Sequence, residues 1–281
     1  MNAITLGLIA ALCWGIHDVT IRKLSQSTPL MATLLGVLSI GAIFQIIAMG
    51  IIGGIEPVPT TAIMYSMSAG VAFLFGSMAL YGAFHRGPVR IVAPVIGSFP
   101  ILSVAFASLV GAQVSLTQLG AVLLVVAGIA IVSVFSHAEE DHTPAKGPTI
   151  ALSVVAAIGF ATTFALGQEA ARIAQDLPTI LITRMTGVLL LVPILLVLSL
   201  PLWPGRKALP YIIVLGILDG IALLLVLSAG NLPSAHYASV ASSIFGLITI
   251  ILAWLFLKEK MTPSQWLGCI LAFAGIGYLA T

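Results

Sequence analysis

The sequence predicts an all-α integral membrane protein, and its composition and apolar patterning carry this prediction. Of the 281 residues, 60% are hydrophobic and only 7% are charged, with a mean hydropathy of +1.18. A soluble domain has about a quarter of its residues charged, so this chain cannot cover a water-facing surface. Apolar runs of about 20 residues, the length that spans a hydrocarbon layer, recur along the chain without the alternation of β-barrel strands.

Pro, Gly and charged residues divide the chain into ten predicted transmembrane helices, which leave no room for a soluble domain. The predicted spans are residues 3–23, 30–53, 63–86, 89–110, 117–136, 148–171, 178–200, 209–229, 234–257 and 264–280. The net charge of +2 and the lack of a basic tract give no sign of nucleic-acid binding, so the lipid bilayer is the predicted surrounding. Cys13 and Cys269 lie inside apolar runs and are predicted to be free thiols.

The two halves of the chain resemble each other, and the longest polar break, Ser136 to Pro148, separates them. The sequence AGIAIVS at 127–133 matches AGIGYLA at 274–280. We therefore expect a first five-helix repeat in residues 1–136, a polar linker in 137–147 and a second five-helix repeat in 148–281. An odd number of spans per repeat makes the two copies cross the membrane in opposite directions, as in many secondary transporters.

Lys and Arg residues gather in the odd-numbered connections between spans, whereas the even-numbered connections hold Arg172 and adjoin Arg184. Cytoplasmic loops carry the excess of Lys and Arg, so the sequence predicts both termini on the outer side.

Asp219 is the first candidate for a functional residue, because a carboxylate near the bilayer centre is costly and marks a site by default. It lies nine residues beyond Pro210, about 13 Å into its helix at 1.5 Å per residue. No cation stands three or four positions away, so we expect it to bind a proton or a cationic group. The alternatives are a protonated side chain or a hydrogen bond to another helix.

Trp14, His17 and Asp18 in the first span form a second candidate group. An indole face attracts cations, and an imidazole that titrates near neutral pH would suit proton coupling. Arg22 lies four positions after Asp18, so a local ion pair at the helix end is the competing interpretation.

Hydroxyl-bearing side chains in four other spans are candidates for lining a polar path. Pro94, Gly97 and Pro100 predict a broken fourth helix, which requires cover by protein or a cavity. The ninth helix carries an unbroken face of small side chains, mainly serines, which suit either close packing or substrate binding. Glu169 is expected to pair with Arg184 or with Arg172, either structurally or as a gate. The candidate lining residues are Ser77, Tyr81, Ser98, Thr163, Ser239, Ser242 and Ser243.

The sequence offers no framework for catalysis. The connections are too short to build an active site, and no metal-ligand spacing, phosphate-binding glycine loop or Gly-x-Ser-x-Gly motif occurs. We therefore expect neither an enzyme nor a cofactor.

Three stretches resemble the drug/metabolite transporter superfamily, in particular its ten-helix EamA-type members. They are Ala10–Gly15, Gly87–Pro94 and the region from Ala253 to Gly275, which contains AWLFLKEK and QWLG. The resemblance implies two tandem repeats and a cavity between spans 1, 3, 4, 6, 8 and 9. Family members move amino acids, nucleotide sugars or organic cations. The resemblance also implies that both termini are cytoplasmic, whereas the distribution of Lys and Arg places them outside.

The leading functional hypothesis is a secondary transporter of a small zwitterion, such as an amino acid, in a bacterial-type inner membrane. It would work by alternating access as a monomer or homodimer, and proton coupling is left open. In the alternative hypothesis the substrate is an organic cation, such as a quaternary amine, held by aromatic and carboxylate groups. Aromatic side chains around Asp219 would favour the cation, and a cavity of serines and backbone amides would favour the zwitterion.

Overall fold

The computed structural model describes residues 2–53, 56–102, 115–135, 145–232 and 236–279, and helices dominate these ranges. The helices are α1 Ala3–Leu24, α2 Leu30–Ile52, α3 Thr60–Arg86, α4 Val89–Gly97, α5 Leu116–Phe135, α6 Lys146–Ile173, α7 Asp176–Val197, α8 Leu209–Ser228, α9 His236–Ser242, α10 Phe245–Leu252 and α11 Pro263–Leu279. A 3₁₀ turn, Ala229–Asn231, ends α8, and a π-helical turn, Ala253–Leu257, follows α10.

Seven of the described helical segments are long and apolar enough to cross a membrane, which is consistent with a multi-pass membrane protein. They correspond to α1, α2, α3, α6, α7, α8 and the stretch Ala238–Leu257, which includes most of α9, α10 and the π turn. The described parts of α4 and α5 are shorter apolar helices. The end of the predicted fourth span and most of the predicted linker lie outside the described residues, and the count of ten spans stays a prediction.

Two of the predicted spans are interrupted near their middles. α4 ends at Gly97, as Pro94 and Pro100 predict, because proline removes a backbone donor and crowds the preceding turn. In the ninth span a turn at residues 243–244 separates α9 from α10 and interrupts the helix within its row of serines. A Cβ added at Gly246 would lie 2.8 Å from the carbonyl oxygen of Ala93, so the two interrupted helices cross in close contact.

Glycines let several helix pairs approach with their backbones in contact. A Cβ added at Gly159 of α6 would lie 2.6 Å from the Cα of Gly76 in α3. One added at Gly128 of α5 would lie 2.4 Å from the carbonyl oxygen of Gly268 in α11. Small residues of this kind are typical of helix packing in membranes, where close backbone approach gives the van der Waals contact that stabilises the pair.

The pairing of helices is the same for both halves of the chain. In the two halves, α1, α2 and α3 correspond to α6, α7 and α8. The contact of α3 with α6 thus matches that of α8 with α1, and the contact of α2 with α8 matches that of α7 with α3. α4 packs on α6 as α9 and α10 pack on α1, while corresponding helices meet directly in the pairs α2–α7, α4–α10 and α5–α11. The centre of the bundle therefore lies between α1, α3, α6 and α8, with the interrupted helices across it.

Candidate functional site

A small cavity lies at the centre of the bundle, enclosed by side chains of α1, α2, α3, α6, α8 and α10 and by Phe99. Its volume is about 30 Å³, room for about two water molecules. The lining residues are Trp14, His17, Asp18, Leu34, Val37, Leu38, Phe73, Ser77, Leu80, Tyr81, Phe99, Phe160, Phe164, Asp219 and Phe245. Five predicted site residues besides Asp219 thus meet in one place: Trp14, His17, Asp18, Ser77 and Tyr81.

Asp219 is buried at this cavity and is held by two partners on other helices. The guanidinium of Arg184 donates from Nη1 to Oδ2 at 2.7 Å, and the indole of Trp14 donates from Nε1 to Oδ1 at 2.9 Å. This arrangement agrees with the expected hydrogen bond to a neighbouring helix. It differs from the expected free carboxylate that binds a proton or a cation, because Arg184 already neutralises the charge of Asp219.

Arg184 is fully buried in α7, which corrects the predicted pairing with Glu169. Glu169 instead pairs with Arg172 at 2.9 Å, the other predicted arrangement, on an exposed helix face. Arg184 fits because Gly41 of α2 has no side chain, since a Cβ there would lie 2.5 Å from Nη1. The guanidinium also lies 5.4 Å from the ring centre of Phe73. The sequence did contain a signal for this pair, because an arginine inside an apolar run needs a buried partner of opposite charge.

Asp18, His17 and Tyr81 form a second polar group at the same cavity. His17 Nδ1 lies 2.9 Å from Asp18 Oδ1, and the Tyr81 hydroxyl lies 3.3 Å from His17 Nε2. An ionised Asp18 can only accept, so Nδ1 donates to it and Nε2 of a neutral imidazole accepts from Tyr81. Among the described residues, Asp18 Oδ2 is buried and has no hydrogen-bond partner.

The competing interpretation, a local Asp18–Arg22 ion pair, is wrong. Arg22 points away from the cavity, and its Nη1 donates to the carbonyl oxygen of Phe84 at 2.6 Å. Its Nε lies 3.5 Å from the carboxylate of Glu259, in the connection that follows the π turn.

Aromatic rings make up most of the remaining cavity wall, and sequence reasoning missed all of the phenylalanines. The ring centre of Trp14 lies 5.5 Å from that of Phe164 and 6.2 Å from that of Phe245. Phe99 packs edge-on against Phe164 at 5.3 Å, and Phe73 lies 6.2 Å from Phe160. The signal in the sequence was helical spacing, because Phe73 stands four positions before Ser77 and Phe160 four before Phe164.

The predicted polar lining by Ser98, Thr163, Ser242 and Ser243 is not found at this cavity. The hydroxyls of Ser98 and Ser243 donate to Val95 and Val240 oxygens three residues earlier, at 2.6 Å in both cases. Hydroxyls in apolar helices satisfy themselves in this way when no other acceptor is near. Ser242 donates to the Ser239 oxygen at 2.7 Å, and Thr163 donates to the Gly159 oxygen at 2.7 Å and faces the Ala69 oxygen at 3.4 Å.

Ser239 lies at a different pocket, of about 440 Å³, bounded by α6, Phe99 and Leu102. Its hydroxyl receives a hydrogen bond from Gln168 Nε2 at 3.0 Å. Phe99 and Phe164 line both this pocket and the central cavity, so their rings separate the two spaces. Ser239 and Asp219 therefore line different spaces, and a substrate-binding role of Ser239 stays a prediction.

Polar contacts join the connections on the face that carries most of the basic residues, called here the basic face. Glu259 is within 3.5 Å of Arg22 and accepts from the backbone nitrogen of Val89 at 3.3 Å. Arg90 Nη1 donates to the carbonyl oxygen of Lys260 at 3.0 Å. These contacts link the end of α1, the start of α4 and the segment after α10, about one helical turn beyond Asp18.

In the part of the chain that the structure describes, no group of three or more His, Cys, Asp or Glu side chains could hold a metal ion. Both cysteines are free, as predicted.

Comparison with known proteins confirms the resemblance noted in the sequence. Residues 1–134 and 147–281 match the model of the EamA-like transporter family. An uncharacterized transporter of Archaeoglobus fulgidus is 26% identical over 145 residues, 51% of this chain and 51% of that protein, so the match spans about half of its length. An uncharacterized protein of Methanocaldococcus jannaschii is 26% identical over 134 residues, 47% of this chain and 97% of that protein.

The fold is also found among solved structures. A protein known from a crystal structure superposes with a TM-score of 0.72 at 18% sequence identity, covering 98% of this chain and 95% of that chain. At this identity the likeness concerns the fold alone. The family match extends over nearly the whole chain, and the chain therefore belongs to the EamA-like transporter family.

Proposed function

We propose that the protein is a secondary transporter that moves a small organic cation across the membrane by alternating access, in exchange for protons. The observation that carries the proposal is the central cavity, which is lined by aromatic side chains and by Asp18, one of whose carboxylate oxygens is buried without a partner among the described residues. Aromatic faces and a carboxylate together are the usual recognition elements for amines and quaternary ammonium groups.

The balance of charge at the cavity favours a cation. Asp18 and Asp219 supply two negative charges when ionised, and Arg184 supplies one positive charge. With a neutral His17 imidazole the group carries one net negative charge in a buried, low-dielectric setting. A positive ligand or a proton compensates such a charge, whereas a neutral or anionic ligand does not.

The zwitterion, the leading hypothesis from sequence, is less well supported by this geometry. A substrate carboxylate needs a free donor, but Arg184 stands behind Asp219 and does not line the cavity. The hydroxyls of Ser242 and Ser243 are occupied by backbone oxygens of α9. Aromatic side chains around Asp219 are the feature expected for the organic cation.

Transport requires the cavity to enlarge, because 30 Å³ is far below the several hundred Å³ typical of sites for small molecules. We infer that two inverted five-helix repeats, residues 1–136 and 148–281, rock about the central site. The matched pairing of helices in the two halves supports this inference.

The Asp18–His17 pair is the best candidate for proton coupling. Asp219 was the first choice from sequence, but its charge is compensated by Arg184 at 2.7 Å. Among the described residues, Asp18 has His17 as its hydrogen-bond partner, its second oxygen is buried without one, and the residue lines the cavity. Binding of a cation beside Asp18 would favour release of a proton from the pair, and protonation would favour release of the cation.

The positions of the basic residues lead us to propose that the basic face is cytoplasmic in a bacterial-type inner membrane, with the termini outside. Labelling of a Thr143→Cys variant from outside the cell would contradict this orientation.

A thermal-unfolding screen of the purified protein tests the substrate class. Quaternary ammonium compounds are expected to raise the unfolding temperature, since a ligand at a hundredfold excess over its Kd adds about 2.7 kcal/mol. Asp18→Asn should abolish this increase. Stabilisation by amino acids, with no effect of quaternary amines, would restore the zwitterion hypothesis instead.

A further inference from the structure

Among the described residues, two fully buried polar side chains outside the cavity lack hydrogen-bond partners, and they lie at the same depth in the bundle. Neither the amide nitrogen nor the amide oxygen of Gln45 in α2 has a hydrogen-bond partner among the described residues. The hydroxyl of Ser66 in α3 also lacks one, and both residues are 0% exposed. Leaving such groups dry costs about 1–3 kcal/mol each, so their presence in an apolar bundle needs a reason.

The packing against α7 places Gln45 and Ser66 at one level. Gly41 of α2 lies against Arg184, and Gly70 of α3 lies against the carbonyl oxygen of Thr183. Leu38 and Leu74 both lie beside Gly187, so α3 runs parallel to α7 and α2 runs antiparallel to it. Gln45 is four positions after Gly41, and Ser66 is four positions before Gly70. Both therefore lie one helical turn, about 5.4 Å along the axis, from the level of Arg184, beside residues 179–180 of α7.

Arg184 adds a third group with a missing partner. Its Nη1 is bound to Asp219, but its Nε is buried without an acceptor among the described residues. Amide, hydroxyl and guanidinium groups with free hydrogen-bonding capacity among the described residues thus lie along two successive turns of α7. A buried water molecule needs two to four polar partners, and these groups are of the kind that supply them.

A large pocket begins one turn farther along the same face of α2. This pocket, called here the vestibule, has a volume of about 850 Å³ and lies where α2, α7 and α8 meet the connections opposite the basic face. Met49, four positions after Gln45, lines it, as do Pro178 of α7 and Leu224 of α8. Gly220, one turn before Leu224, packs against Phe44 and Gly41. Gln45 thus stands between the Arg184–Asp219 pair and the vestibule.

We propose that Gln45 and Ser66 form an internal water-binding site that connects the Arg184–Asp219 ion pair with the vestibule between α2, α7 and α8. This role rests on the proposed transport cycle. In that cycle, water molecules at the site carry protons between the central carboxylates and the face opposite the basic face. The route runs outside the aromatic wall, so water and protons pass while a bulky organic cation does not.

Cysteine labelling tests the site without any need for substrate. In a variant with Cys13 and Cys269 replaced by alanine, Gln45→Cys and Ser66→Cys are compared with matched neighbours Ile46→Cys and Met67→Cys. The neighbours are 52% and 49% exposed on the outer, apolar surface of the bundle, where no water reaches a thiol. The probe is methanethiosulfonate ethylammonium, which reacts with thiolates formed in water.

The buried positions are expected to react at least tenfold faster than their exposed neighbours, and only when the reagent is added on the vestibule side. Equal rates, no reaction at both buried positions, or reaction only from the basic face would each overturn the proposal. Ser66→Cys changes one atom and guards against misfolding of Gln45→Cys. Because labelling does not depend on transport, its failure is distinguishable from failure of the proposed substrate class.

Discussion

Asp219 and Arg184 form a buried ion pair in which each charge compensates the cost of burying the other. The side chain of Arg184 is 0% exposed and that of Asp219 is 8% exposed, so neither can reach bulk water. Breaking a buried pair by removing one charge costs about 3–5 kcal/mol, whereas replacing both with apolar groups is often neutral. The pair therefore positions Trp14 and the cavity wall, and it carries no free charge for a substrate.

Asp219→Asn is expected to destabilise the protein by about 3–5 kcal/mol, because it leaves the Arg184 guanidinium buried without a counter-ion. Thermal unfolding of the purified protein in detergent measures the effect. The double variant Asp219→Leu with Arg184→Met is the control and should lose much less. An Asp219→Asn protein as stable as the wild type would show that the ion pair does not form.

Close helix contacts depend on particular glycines, and the two halves of the bundle meet through them. Gly76 and Gly159 allow α3 and α6 to touch, and these helices carry Ser77, Tyr81 and Phe160 into the cavity. A side chain at this crossing would separate the helices and displace the aromatic wall.

Gly159→Ala is expected to destabilise the protein by about 1–3 kcal/mol through overpacking, since its Cβ would lie 2.6 Å from the Cα of Gly76. Gly50→Ala is the matched control, because no atom outside its own helix lies within 4 Å of an added Cβ there. Alanine favours helix by about 1 kcal/mol over glycine, so the control should be neutral or stabilising. Equal unfolding temperatures for the two variants would contradict the α3–α6 contact.

The basic face is closed by Glu259, which joins Arg22 at the end of α1 to the backbone at the start of α4. Glu259→Gln removes the charge and should favour opening on this face. We expect about a tenfold increase in labelling of a Ser77→Cys probe from the basic face, which corresponds to about 1.4 kcal/mol.

Glu169→Gln is the control for this measurement, because the Glu169–Arg172 pair is exposed and such pairs contribute little. An unchanged labelling rate in Glu259→Gln, or an equal increase in Glu169→Gln, would show that the Glu259 contacts do not hold the face closed.

The sequence predicts the helices well and the partners of their polar groups poorly, for a physical reason. Apolar length and composition identify a membrane helix directly, and Pro94 and Pro100 locate the interruption of α4. Arg184 meets Asp219 across 35 positions of sequence, and only the packing of α7 beside α2 and α8 brings them together. Local spacing therefore suggested Glu169 as its partner.

The composition of the cavity wall was also beyond local reasoning. In a bundle surrounded by lipid, an apolar side chain gives the same sequence signal whether it faces lipid or the centre. Phe75 is 52% exposed on the outside of α3, whereas Phe73, two positions earlier, is 2% exposed at the cavity. The predicted lining by Ser242 and Ser243 failed for a different reason, because each of these hydroxyls donates to a backbone oxygen of its own helix.

In the described part of the chain, polar contacts join the connections on the basic face, a small cavity lies at the centre, and the vestibule lies on the opposite side. This arrangement matches one stage of an alternating-access cycle in which the substrate site is shut from the basic face. In the proposed cycle, Asp18 in the aromatic cavity binds an organic cation and a proton in turn, and the protein exchanges one for the other across the membrane.

Uptake into proteoliposomes tests this claim most directly. With a proton gradient imposed, the wild-type protein should accumulate radiolabelled tetramethylammonium above its equilibrium distribution, and Asp18→Asn should not. Accumulation of labelled alanine without tetramethylammonium, or undiminished gradient-driven uptake of tetramethylammonium by Asp18→Asn, would contradict the account.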